Sequence, residues 1–290
     1  MEPYTRNGSF VGRTADFGDS APYVPGFTTY NTLVYVGGTS IGILGSTSDR
    51  TVSLTSLTGG VGTSPQAGDM VIITFAKGFS VSNVGVSTEG TSSISGYTTI
   101  ASIANTSGQQ RVRAIVARKT MGSTPDSSIT IVGGTGDSSN GGTVAVHVWR
   151  NAAGVRGTVT QAISNSAIPT FSSLTVSTLY PNSQIILAAG AGHTDGSRTF
   201  GATYLSNFMT AGVNDSNDST VGMGSRLQST PGSYAGGSWT WSGTNSTDWS
   251  NVRIGFELFA TSVFTPPSNA KNSGIWDLHA VYDYKASLIT

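Results

Sequence analysis

Apolar and polar residues alternate with a period of two along much of this chain, the pattern of strands with two unlike faces. In Arg253-Ile254-Gly255-Phe256-Glu257-Leu258-Phe259 the even positions are apolar, and Arg253, Gly255 and Glu257 fall on the opposite side. Val144, Val146 and Val148 alternate with Ala145, His147 and Trp149 in the same way. The run 70–76 is apolar except for Thr74, which predicts a strand covered on both faces. Further strands are predicted over 32–36, 51–57, 97–103, 111–119, 127–132, 174–178 and 184–189.

Clusters such as Gly133-Gly134-Thr135-Gly136-Asp137 and Asn214-Asp215-Ser216-Asn217-Asp218 separate these runs. Gly, Asn and Asp tolerate positive φ, so the clusters read as turns. Roughly a dozen short strands with such punctuation predict an all-β fold, an antiparallel β-sandwich of jelly-roll-like form. An internal pseudo-repeat organises it, with half-units at about 67–150 and 181–260. Pro125 and Pro231 lie 106 positions apart, and Val144 and Val252 lie 108 apart. Two half-units that each leave an apolar face open are expected to pack face to face.

Different material flanks the predicted sandwich domain, 31–262. Residues 1–30 hold few strand signals and many Gly, Pro and aromatic residues, as in Ala21-Pro22-Tyr23-Val24-Pro25-Gly26-Phe27. This reads as an extended N-terminal arm ordered against a neighbour. In the tail, 263–290, Thr265-Pro266-Pro267 ends the last strand. A short helix is predicted within 269–290, with Ser273 as N-cap and Ile275, Leu278 and Tyr282 on one face. Such a helix is marginal alone and needs a surface. Tyr23, Phe27, Ile275, Trp276, Leu278 and Tyr282 are therefore the candidate assembly contacts.

Composition narrows the classes. Of 290 residues, 37% are hydrophobic, enough to fill a core, and only 10% are charged. Fifteen basic and fifteen acidic residues cancel, which removes the electrostatic case for binding nucleic acid or an anionic membrane. With no cysteine, disulfides, thiolate metal sites and a cysteine nucleophile are excluded. No stretch reaches the roughly 18 apolar residues of a membrane span. Arg6 and Arg13 are not followed by the apolar segment of a secretory signal. Export by that route is not expected, whereas release inside a particle by lysis fits.

Three segments in order carry a resemblance: Gly68-Asp69-Met70-Val71-Ile72-Ile73, then Arg113-Ala114-Ile115-Val116-Ala117-Arg118-Lys119, then Thr143-Val144-Ala145-Val146-His147-Val148-Trp149-Arg150-Asn151. They resemble a β-sandwich module of minor structural and tail proteins of bacteriophages and prophages. Its features are a strand opened by Gly-Asp, a strand bearing a basic residue, and a strand ending in an aromatic-Arg-(Gly/Asn) corner. In its second half, Ser238-Trp239-Thr240-Trp241-Ser242 matches a Thr-Trp-Thr-like strand. The tail Asn272-Ser273-Gly274-Ile275-Trp276-Asp277-Leu278-His279-Ala280-Val281-Tyr282 is similar to a Gly-x-Trp-x-Leu segment of marine-phage virion proteins. The likeness covers about 66–285, and Asn151 stands where glycine is more usual in the corner. It implies a non-enzymatic virion protein made in the host cytoplasm, a tail-associated fibre or adsorption component contacting other virion proteins. A symmetric homo-oligomer, with a trimer as the leading form, follows from the same resemblance. Capsid decoration, a head fibre, or a glycan-binding receptor-recognition module are the alternatives.

The residues themselves nominate no catalytic set, metal centre or cofactor. His147, His193 and His279 are isolated in sequence; His193-Thr194-Asp195 reads as a loop, and His147 as part of a strand. Asp215-Ser216-Asn217-Asp218-Ser219 begins like a calcium loop, but Thr220 replaces the glycine and Arg226 stands at the terminal glutamate position. Gly37-Gly38-Thr39-Ser40-Ile41-Gly42 precedes no helix, so it cradles no phosphate. No Gly-x-Ser-x-Gly elbow appears in a strand-to-helix context, and no carboxylate pair stands out. The sharpest candidate is aromatic: Trp239 and Trp241 share one strand face, flanked by Tyr234 and Trp249. Indole faces stack on sugar C–H surfaces, which makes the group a glycan platform if exposed. The same face is core if the polar side, Ser238, Thr240 and Ser242, looks outward.

Overall fold

Period-two sequences with one greasy face must find cover, and here nearly every strand does so in a sheet that has another sheet against it. A computed structural model of the chain describes residues 27–43, 49–80, 93–106, 110–132, 142–164, 174–193, 196–214, 218–242 and 250–265. All described elements are strands paired antiparallel, with no helix among the described residues. The predicted helix within 269–290 and most of the arm 1–30 lie outside those residues. Two units are present, Thr32–Ala260 and a smaller one formed by Met1–Asn31 with Thr261–Thr290.

In the large unit, one five-stranded sheet comprises β2 (Val34–Ile43), β4 (Met70–Ser80), β6 (Thr98–Asn105), β7 (Gln110–Thr120) and β9 (Gly142–Arg150), in the order β2-β9-β4-β7-β6. A three-stranded sheet, β3 (Arg50–Ser53), β8 (Ser128–Val132) and β5 (Ser93–Ile94), completes its outer side. Val71, Ile73 and Phe75 of β4 join Val144, Val146 and Val148 of β9 and Val52, Ile129 and Ile131 of the smaller sheet in one core. The alternation read from the sequence is the reason these residues share a face.

A second five-stranded sheet has the order β10-β18-β12-β15-β14. Its strands are β10 (Ala152–Ser164), β12 (Ser183–His193), β14 (Ser206–Val213), β15 (Asp218–Gln228) and β18 (Ser250–Ala260). Its outer side carries the pairs β11 (Thr175–Thr178) with β16 (Gly232–Ala235), and β13 (Phe200–Gly201) with β17 (Thr240–Trp241). Leu174, Val176, Ile185, Leu187, Phe200 and Trp239 belong to the core between them. Read along the chain, the strands of both five-stranded sheets occur in the same spatial succession.

The two large sheets meet through small and polar residues. A methyl group on Gly190 would lie 2.8 Å from the Cβ of Ala76, and one on Gly192 or Gly42 would strike the backbone carbonyl of Arg111 or Gly212. Ser40 donates to the Thr210 carbonyl at 2.8 Å, and Thr74 donates to the Met223 sulfur at 3.3 Å. Gly37-Gly38-Thr39-Ser40-Ile41-Gly42 is therefore strand β2, with Gly38 and Gly42 allowing a close approach, as glycine does inside sheets.

Motifs far apart in sequence converge at one corner. Arg150 donates from Nε to Oδ1 of Asp69 at 2.9 Å and from Nη2 to Oδ2 at 3.1 Å, a bidentate pair. Gln66 N–H also donates to that buried carboxylate, at 2.8 Å. Gly68 has φ 83° and Asn151 has φ 62°, both left-handed. Asn151 holds that conformation with a bond from Nδ2 to the Thr32 carbonyl, 2.9 Å long. Asparagine is, after glycine, among the residues that enter this left-handed conformation most readily.

Register corrects the spacing of the repeat. Val144 is paired with Phe75 and belongs to the outer core, whereas Val252 is paired with Gly190, whose position faces the opposite large sheet. The 108-residue step therefore links positions on opposite kinds of face. The strand predicted over 51–57 ends at Ser53, after which Leu54 and Leu57 are buried outside any strand. Strand β10, unpredicted, has thirteen residues and two register shifts against β18. In the small unit, β1 (Phe27–Tyr30) pairs with β19 (Ser262–Thr265) from Phe27↔Thr265 to Tyr30↔Ser262.

Candidate functional site

The predicted aromatic group lies at β13 and β17, where Phe200 pairs with Trp241. Phe200 sits 5.4 Å from the Trp239 ring and 5.3 Å from the Trp241 ring, and Phe208 meets Trp239 edge-on at 5.1 Å. Gly222 makes this possible, since a methyl there would collide with Trp239 and press on Phe200 at 3.0 Å. Trp239 donates from Nε1 to the Tyr204 hydroxyl at 2.7 Å, and that hydroxyl donates to the Gly237 carbonyl at 2.9 Å. A buried indole with its N–H satisfied gains from apolar cover without leaving a polar atom stranded.

Trp239 is 1% exposed and belongs to the core, so it offers no face to a sugar. This corrects the reading of Trp239 and Trp241 as an open pair. Trp241 is half-buried, its ring edge-to-face with His193 at 4.9 Å. Tyr234 is also half-buried, and exposed Arg226 covers its ring at 4.5 Å while donating to its hydroxyl at 3.1 Å. Trp249 lies outside the described residues, as do Tyr23, Ile275, Trp276, Leu278 and Tyr282. Phe27 opens β1 opposite Thr265. Tyr204, which anchors Trp239, was not singled out by the sequence reading; its place within hydrogen-bond reach of the indole comes from pairing across 35 positions.

Beside the aromatics lies a string with the outward form of a hydrolytic relay. Asp218 Oδ2 is 3.9 Å from His193 Nδ1, and His193 Nε2 is 2.9 Å from Thr220 Oγ1. Thr220 donates its hydroxyl proton to the Arg198 carbonyl at 3.2 Å, so it accepts from His193 Nε2–H. That tautomer leaves no base at Nε2 to activate the hydroxyl. His193 and Thr220 are fully buried, and Asp218 accepts from Gly196 N–H at 2.5 Å. Burial, reinforced by the Arg198 charge, pushes the His193 pKa down to about 3. The string holds strand ends together, and His193 closes β12 where the sequence predicted a loop.

A second buried cluster joins Tyr35, His147 and Trp149, with ring centres 5.1 to 6.3 Å apart. Among the described residues, the Tyr35 hydroxyl and Trp149 Nε1 make no hydrogen bond. Desolvation holds the His147 pKa down at about 3, with the Asn207 backbone opposing it slightly. Among the described residues no group of three or more His, Asp or Glu side chains is arranged to hold a metal. No described helix is long and apolar enough to cross a membrane. Comparison with protein-family models, curated proteins and solved structures finds no match.

Proposed function

We propose that this chain is a structural protein of a bacteriophage particle, a tail-associated component of the fibre or adsorption apparatus. In this reading it assembles as a symmetric homo-oligomer, a trimer in the leading form, and its terminal segments grip neighbouring copies and other virion proteins. The three-segment resemblance and the charge-poor composition support it. The observation that carries the assembly claim is the ribbon of β1 and β19. Phe27 and Thr265 are partners at its end, so the chain enters and leaves the ribbon at neighbouring positions.

The shared strand order supports a finer proposal, that each half is a small jelly roll and the two arose by duplication. Both halves also begin the strand at the centre of their five-stranded sheet, β4 and β12, after a left-handed residue, Gly68 at φ 83° and Asn182 at φ 55°. Their N–H groups bond Met121 and Ser229 carbonyls at 2.9 and 3.2 Å respectively. Gold-labelled antibody to the chain, imaged on purified particles by electron microscopy, tests the location. Labelling of tails is the expected result. Labelling of heads moves the protein to the capsid, and unlabelled particles remove the virion reading.

A further inference from the structure

Tyr180 stacks on Phe259 of β18, with ring centres 4.8 Å apart and planes inclined by 20°. Both residues are half-buried, and adjoining Leu179 is 61% exposed. The stack is built from beneath. Glu257, fully buried, accepts from Leu179 N–H at 2.9 Å and Tyr180 N–H at 3.0 Å, which fixes the turn that delivers the tyrosine. A carboxylate holding two backbone donors is a strong anchor.

Two guanidiniums border the rings. Exposed Arg156 of β10 lies 5.3 Å from the Tyr180 ring centre and 5.5 Å from that of Phe259. Arg156 stands opposite Glu257 in the β10–β18 register, yet no ion pair joins them; the carboxylate is committed to the turn. Arg118 of β7 approaches from the other large sheet. A methyl group on Gly154 would lie 3.1 Å from the Phe259 ring and 3.3 Å from Arg118 Nη1. The absence of a side chain at Gly154 is what lets the ring edge and this second guanidinium converge. Neither arginine makes a salt bridge among the described residues.

We propose that Tyr180, Phe259, Arg156 and Arg118 form a binding ledge for a carboxylate-bearing sugar, of the uronic or sialic acid class. Pyranose C–H surfaces pack on aromatic faces. A guanidinium fork matches a carboxylate bidentately, and cation–π contact holds Arg156 in place before the ligand arrives. An acidic peptide would use the charges without needing the stacked rings, whereas a neutral sugar would leave two guanidiniums unused. The site is separate from the Trp239 region, and it does not depend on how copies assemble.

Titration calorimetry of the full chain tests this with trigalacturonate and sialyllactose, set against maltotriose, lactose and poly-glutamate. Saturable binding of at least one acidic sugar is expected, roughly tenfold tighter than its neutral counterpart and than poly-glutamate. Tyr180→Ala and Arg156→Gln should each weaken it by about tenfold or more. Arg156 is exposed, so Arg156→Gln keeps the test interpretable even if Tyr180→Ala disturbs the turn. No saturable binding of either acidic sugar overturns the proposal. Equal binding of poly-glutamate or of neutral sugars, or binding that Arg156→Gln leaves unchanged, overturns it as well.

Discussion

At the scale of single residues, the buried Asp69 carboxylate is held by three donors, and several buried side-chain polar atoms make no hydrogen bond among the described residues. Removing the Asp69 carboxylate strands the Gln66 N–H and a guanidinium that was paired bidentately. Asp69→Ala should therefore lower stability by about 1–3 kcal/mol, read as a shift of the urea midpoint with unchanged slope. Asn151 sits at φ 62°, where a Cβ without a compensating bond costs about 1–2 kcal/mol. Asn151→Ala is expected to lose that much, and Asn151→Gly less, in the same measurement. The histidines predict an acid response. His147 and His193 have pKa values pushed from 6.5 down to about 3, so the unfolded chain binds protons that the folded chain refuses. Their contribution is intact above the unfolded value and is lost as pH falls from about 6.5 toward 3, by about 1 kcal/mol per pH unit for each imidazole. Urea melts at pH 7 and pH 5 should show that decline, and His147→Phe should make it shallower. An identical decline in the variant would remove His147 from the account.

At the scale of elements, stability depends on how closely the two large sheets can approach. Gly192→Ala drives a methyl into the Arg111 carbonyl, and Gly42→Ala drives one into the Gly212 carbonyl. Backbone cannot swing aside as a side chain does, so each should cost about 1–3 kcal/mol or more. Gly122→Ala, with nothing within 4 Å, serves as the neutral control in the same thermal melts. Those glycines also mark the limit of what the sequence reveals. Strands β9 and β18 were legible from their alternation, and β4 from an apolar run too short for a helix and covered on both faces. Strand β10 was not, because Ala152, Gly154 and its exposed polar residues suit an irregular edge whose bulges discourage further pairing. The Trp239–Trp241 alternation was legible too, but not which side faced the core. That was decided by Tyr204, Phe208 and Gly222 arriving from elsewhere in the chain. The Tyr180–Phe259–Arg156 ledge left no local signal, since its parts meet only through cross-strand register.

At the scale of the whole molecule, the large unit buries its apolar strand faces in two outer cores and a glycine-lined seam. Equal numbers of basic and acidic residues leave no long-range repulsion between copies. What the proposal adds is a task for residues 1–26 and 266–290, beyond the β1–β19 pair, in contacts with neighbouring copies. The most direct test is the solution mass, by sedimentation equilibrium, of the full chain beside a chain trimmed to residues 27–265. The account predicts a full chain at about three times its 29.8 kDa, and a trimmed chain at the mass of one copy with its strand content intact. A full chain that sediments as a single copy, or a trimmed chain that still assembles, would contradict it.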